Sequence, residues 1–114
     1  MCHCSQCRRW SGNFVAATAA RLEDFSFERE DGLAWYESST SARRGFCRTC
    51  GSSLFWRGDG LGYVAIMAGT LDGAAKLPVA QHIFCLDRGG YYDLQPGVPR
   101  FDKGGPKVAI PPAQ

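Results

Sequence analysis

The chain has 114 residues, enough for one domain with a modest core and too few for two. Hydrophobic residues make up 45% and aromatic residues 12%, a globular composition that excludes a disordered chain. The formal net charge is +2 and the basic residues are scattered apart from Arg8-Arg9 and Arg43-Arg44, so no nucleic-acid surface is expected.

Residues 14–18 read as a strand, and residues 21–24 as a turn or a single helical turn. Residues 25–28 alternate apolar and polar, as a half-buried strand does. Asp31-Gly32 marks a turn, and the expectation is a hairpin into a strand over 33–36. Residues 38–41 are a polar connection, and residues 43–46 lead into a pair of cysteines. Residues 53–56 follow as a strand, with a turn at 58–60 and a buried strand at 63–67. After a loop at 69–73, residues 79–86 are the last strand candidate. The Pro- and Gly-rich residues 103–114 read as an extended tail beyond a domain spanning 1–102. No amphipathic helix longer than about two turns stands out. The expected fold is therefore all-β, of short antiparallel strands.

No apolar run approaches the ~18 residues needed to cross a bilayer, so no membrane partner is expected. No charged segment followed by an apolar one opens the chain, which points to a cytoplasmic protein. Six cysteines in such a chain read as metal ligands or reactive thiols rather than disulfides.

The first cluster is Cys2-His3-Cys4-Ser5-Gln6-Cys7. In extended backbone, residues i and i+2 share a face, so Cys2 and Cys4 present their sulfurs side by side. A tight turn through Ser5-Gln6 would return Cys7 to the same point. The second cluster, Cys47-Arg48-Thr49-Cys50-Gly51, has the spacing of a zinc knuckle, with a glycine free to take positive φ. Two arrangements fit, and spacing alone slightly favours the first, which uses the familiar pairing of two C-x-x-C units. Cys4, Cys7, Cys47 and Cys50 could close a four-sulfur structural site, leaving Cys2 as a spare thiol. Alternatively, Cys2, Cys4 and Cys7 could form a three-ligand site with an open fourth vertex, the usual form of a catalytic zinc. Cys85 reads as a buried, inert thiol.

These clusters and their surroundings resemble the glutathione-dependent formaldehyde-activating enzyme (GFA) family. The similarity runs through Cys2 to Gly12, then Arg44 to Phe55 around Cys47 and Cys50. It continues with Ala68-Gly69-Thr70-Leu71-Asp72, His82-Ile83-Phe84 and Tyr92-Asp93. The resemblance implies a β-tent fold, zinc, and addition of glutathione to formaldehyde to give S-hydroxymethylglutathione, a carbon–sulfur lyase-type reaction. It places Cys2, Cys4 and Cys7 at the labile zinc beside the glutathione site, and Cys47 and Cys50 at a structural zinc. The family pattern also takes two structural ligands from an N-terminal C-x-C-G strand, which this chain lacks. Cys47 and Cys50 would then be half a site or borrow ligands from the first cluster.

Glutathione is a thiol with a pKa near ~8.5, and the thiolate is the nucleophile. Its two carboxylates suit bidentate pairing with Arg8, Arg9, Arg43 or Arg44, though each of these is more often a solvated surface arginine. His82 is a candidate proton donor to the developing alkoxide, or else a hydrogen-bonded strand residue. Trp10, Phe14 and Trp56 read as core beside the metal. The competing readings are a non-enzymatic zinc-stabilised scaffold or binding module, and a redox sensor using Cys4 and Cys7. An edge strand left unpaired would favour a homodimer.

Overall fold

The computed structural model describes residues 1–73 and 76–111. Among them lie five strands, β1 (Ala17–Arg21), β2 (Leu33–Ser39), β3 (Ala42–Cys47), β4 (Ser53–Gly58) and β5 (Tyr63–Met67). They form one sheet in the order β1-β5-β4-β3-β2, with β2 to β5 joined antiparallel. The described residues hold one short helix, α1 (Ser5–Ser11), and 3-10 turns at Leu22–Asp24, Ala68–Thr70 and Cys85–Asp87. The fold is all-β, as its short alternating segments indicated. No helix is long and apolar enough to cross a membrane.

The chain divides into two compact units, one joining Met1–Ala17 to Asp72–Ala109 and the other built on Thr18–Leu71. In the second unit, register sets the core. Trp35 lies opposite Gly45, Gly45 opposite Phe55, and Phe55 opposite Ile66, so one row crosses four strands. Phe25 and Phe27 pack edge-on against Phe55, with ring centroids 5.6 and 5.5 Å away. Residues 25–28 therefore form no strand. Their alternating phenylalanines cover a sheet face instead of pairing within the sheet, a difference that periodicity alone does not distinguish. The expected hairpin is absent with them. Asp31-Gly32 instead turns the chain into β2, and the hairpin joins β2 to β3 through Thr40-Ser41.

Gly45 is buried, and its small size is required. A Cβ there would meet the Trp35 ring at 3.1 Å and both Leu33 and Phe55 at 3.2 Å. The neighbouring row aligns Tyr36, Arg44, Trp56 and Ala65.

In the first unit the backbone is paired through isolated bridges. Cys2 pairs with Val15 and with Ile83, and His82 pairs with Arg100. Two sequence expectations shift here. Residues 14–18 pair only at Val15 before β1 begins at Ala17. Residues 79–86 form no continuous strand. His82 bonds to Pro99 and Phe101, and Ile83 bonds to Met1 and His3. Pro99 has no N–H to extend a ladder. Phe84 then takes φ of 54°, which turns the chain into Cys85–Asp87. Residues 103–111 carry no helix or strand, and the rest of the expected tail, 112–114, lies outside the described residues.

Gly45→Ala tests the central row. Overpacking there should cost about 1–3 kcal/mol, read as a lower urea midpoint with an unchanged slope. An unshifted midpoint would mean that Trp35 and Phe55 have room to move aside.

Candidate metal centre

The first cysteine cluster is arranged by a strand-to-helix transition. Cys2 is extended and exchanges two backbone hydrogen bonds with Val15, at 2.8 and 3.0 Å. Cys4 is the N-cap of α1, with φ −64° and ψ 158°, and its Sγ accepts from the Cys7 N–H at 3.3 Å. The expected turn through Ser5-Gln6 is thus the first turn of a helix. Gly12, at φ 79°, ends that helix in the left-handed conformation and returns its N–H to the Arg8 carbonyl at 2.8 Å.

This geometry gathers the Sγ atoms of Cys2, Cys4 and Cys7 within 4.8 Å of one another. Sulfurs around a tetrahedral zinc, bound at ~2.3 Å, stand roughly 3.8 Å apart, so small side-chain adjustments close the set. Cys7 is buried, while Cys2 and Cys4 are half-buried. The hydrogen bond with Cys7, followed by burial, pushes the Cys2 thiol well above its ordinary range. Crowded sulfurs resist a second negative charge unless a cation sits among them. The donor set therefore suits a thiolate-preferring metal ion.

Cys47 and Cys50 belong to the sheet unit. Cys47 ends β3, and Gly51, at φ 78°, donates to the Cys47 carbonyl at 2.7 Å, so the knuckle turn is formed. Cys50 is exposed and contacts Ser52 Oγ at 3.1 Å, and hydrogen bonds from Ser52 hold its thiol below the usual range. Among the described residues, no third His, Cys, Asp or Glu completes a metal-ligating group with this pair. Cys85 opens a 3-10 turn and is half-buried.

The arginines separate by environment. Arg8 and Arg9 ride on α1, the helix that carries Cys7. Arg9 is exposed, while the buried Arg8 Nε has no hydrogen-bond partner among the described residues. Arg43 lies over the Trp35 ring at 4.5 Å, and Arg44 is only 4% exposed.

His82 is 1% exposed, as is His3, and the two are hydrogen-bonded, His3 Nε2 to His82 Nδ1 at 2.9 Å. His3 Nδ1 meets the Tyr92 hydroxyl at 2.8 Å, and that hydroxyl accepts from the Gly89 N–H at 3.2 Å. Sequence reasoning singled out His82 but not His3 or Tyr92. The available signal was alternation, because a residue between two same-face cysteines must point the other way, towards the core. Burial, then the neighbouring His82, push His3 down to about 4. Burial, then the positive charges of the Met1 amine and Arg100, push His82 down as well. Both rings are neutral at pH 7.

The family model described as glutathione-dependent formaldehyde-activating enzyme matches residues 1–87. A Schizosaccharomyces pombe protein named as an uncharacterized lyase is 36% identical over 56 residues. That stretch covers 48% of this chain and 39% of the yeast protein's length.

His3 and His82 are the two histidines of the chain. Both are depressed on folding, so above ~6.5 neither folded nor unfolded rings bind protons and their effect on stability is constant. Below that the unfolded rings protonate while the folded ones resist, so stability falls as pH drops from ~6.5 towards the folded values. Urea midpoints at pH 7 and pH 5 should differ, and His82→Gln should flatten the difference. An equal drop in the variant would place the acid sensitivity elsewhere.

Proposed function

The chain belongs to the glutathione-dependent formaldehyde-activating enzyme family, and from that premise we propose a zinc-dependent enzyme that adds glutathione to formaldehyde or a related small aldehyde. The observation that carries this reading is the convergence of the Cys2, Cys4 and Cys7 sulfurs within 4.8 Å. Three cysteine ligands leave a fourth tetrahedral vertex free, the arrangement of catalytic rather than structural zinc. Zinc held there would supply a positive centre that favours the thiolate form of an incoming thiol.

In the addition, the glutathione sulfur bonds to the aldehyde carbon and the C=O π electrons move to oxygen. The proton lost by the thiol is balanced by one gained at that oxygen, giving S-hydroxymethylglutathione when the aldehyde is formaldehyde. The protein's own groups bind and orient. Arg8 and Arg9 share a helix with Cys7, and the unused Nε edge of Arg8 suits a carboxylate of glutathione. Arg43 and Arg44 are committed to the sheet unit, one stacked on Trp35 and the other buried, so we rest carboxylate pairing on Arg8 and Arg9. His82 is our candidate partner for the aldehyde oxygen. Cys47 and Cys50 would supply two ligands to a separate structural zinc.

Zinc-loaded protein should show glutathione-dependent adduct formation above the uncatalysed background, and heat on titration with glutathione. Cys4→Ser, which keeps a good N-cap, should lower the rate at least about tenfold. Equal rates in the two proteins, or no heat with glutathione, would leave zinc as a purely stabilising ion.

A further inference from the structure

The three sulfurs of the metal centre come from two differently held pieces of backbone. Cys2 sits in the pairing with Val15 and Ile83, whose last bond runs from the His3 N–H to the Ile83 carbonyl at 3.0 Å. Cys7 rides on α1, whose first bond runs from the Arg8 N–H to the Cys4 carbonyl, also at 3.0 Å. Among the described residues, the peptide that links His3 to Cys4 makes no backbone–backbone hydrogen bond through either its carbonyl or its N–H. Rotation at this joint swings Cys4 and Cys7 together relative to Cys2. The gathering of the sulfurs within 4.8 Å therefore depends on something besides the paired segment and the helix.

The His3 ring meets that need. It is 1% exposed, and both of its nitrogens are bonded, Nδ1 with the Tyr92 hydroxyl at 2.8 Å and Nε2 with His82 Nδ1 at 2.9 Å. The Tyr92 ring also stacks on it, with centroids 5.3 Å apart and planes at 27°, and Phe14 packs tilted against it at 5.2 Å. The Gly89 N–H holds the Tyr92 oxygen in turn, at 3.2 Å. A ring fixed at both nitrogens cannot turn away without stranding buried polar atoms, which costs more than the bonds contribute when made. Rotamer and backbone dihedrals are coupled, so a fixed ring restricts the direction in which the chain leaves His3 and enters Cys4.

We propose that His3, locked by Tyr92 and His82, is the positioning residue of the metal centre, fixing the joint between the paired segment and α1 so that three sulfurs stand ready for a thiolate-preferring divalent ion. The inference rests on metal binding at Cys2, Cys4 and Cys7 and extends it to side chains that do not supply a sulfur. An ion binds more tightly to an arrangement that already dominates, and its apparent affinity falls in proportion as the share of that arrangement falls. The coupling is reciprocal, so a bound ion tightens the Tyr92 contact by the same factor.

The test is the cadmium affinity of the reduced, zinc-depleted full chain, followed by cadmium-113 NMR in competition with a chelator. Each added sulfur ligand moves the cadmium signal downfield, which separates the three-sulfur centre from an ion held by Cys47 and Cys50. Tyr92→Phe keeps the ring that stacks on His3 and removes only the hydroxyl. It should weaken cadmium at the three-sulfur centre about tenfold and leave binding at Cys47 and Cys50 unchanged. Gly45→Ala, which overpacks the sheet unit, should lower the urea midpoint and leave the three-sulfur affinity unchanged. Equal affinity in Tyr92→Phe and the parent would overturn the proposal while leaving metal binding intact, with backbone pairing alone holding the sulfurs. Equal weakening by Gly45→Ala would also overturn it, because any loss of stability would then suffice. A parent protein with no three-sulfur signal would remove the metal reading itself, and the positioning role with it.

Discussion

The candidate site depends on the way the backbone of residues 1–3 is stitched on two sides. Cys2 bonds to Val15 through both its N–H and its carbonyl, while the Met1 carbonyl and the His3 N–H bond to Ile83 at 2.9 and 3.0 Å. This pairing holds the segment extended, and extended backbone alternates its side chains. Cys2 and Cys4 therefore fall to one face, where the first turn of α1 delivers Cys7. His3 falls to the other, where His82 and Tyr92 wait. One short stretch of chain thus separates two kinds of chemistry, soft sulfur donors on one side and a dry imidazole pair on the other.

The neutral state of that pair is a consequence of the same packing. Two rings 2.9 Å apart at their nitrogens cannot both carry charge without strong repulsion, and burial removes the water that would shield them. Phe14 packs tilted against both His3 and Tyr92, with ring centroids 5.2 and 5.1 Å away, and further excludes solvent. The hydroxyl of Tyr92 links this aromatic packing to the hydrogen-bond chain, so the ring supplies bulk and the oxygen supplies direction.

Much of this is legible in the sequence. The all-β class, the strands at 33–36, 53–56 and 63–67, the short helical turn after Arg21 and the glycine-assisted knuckle at Cys47 and Cys50 all follow from alternation and turn chemistry. The convergence of Cys2 and Cys4 follows from the period-2 rule, and only the helical nature of the turn to Cys7 was missed. The failures have a common cause. Phe25 and Phe27 alternate like a strand, and residues 79–86 are mostly apolar like one, yet such patterns record which face is buried and not what supplies the hydrogen bonds. Partners such as Pro99, Phe101 and Met1 lie far away in sequence and leave no local trace. Tyr92 was invisible as a functional residue for the same reason, being 89 positions from the ring it contacts.

His3 and His82 meet across 79 positions of sequence, and in a featureless chain the entropy of closing so long a loop opposes the contact. The sheet changes that arithmetic. β1 and β5 are neighbours in the strand order, so the polypeptide enters and leaves the folded sheet along adjacent strands. Once those strands have zipped, the span that must still be closed shrinks to the two arms that carry the rings, saving about 0.6 kcal/mol for each halving of its length. Pairing of β1 with β5 therefore lowers the entropic cost of bringing the two imidazoles together.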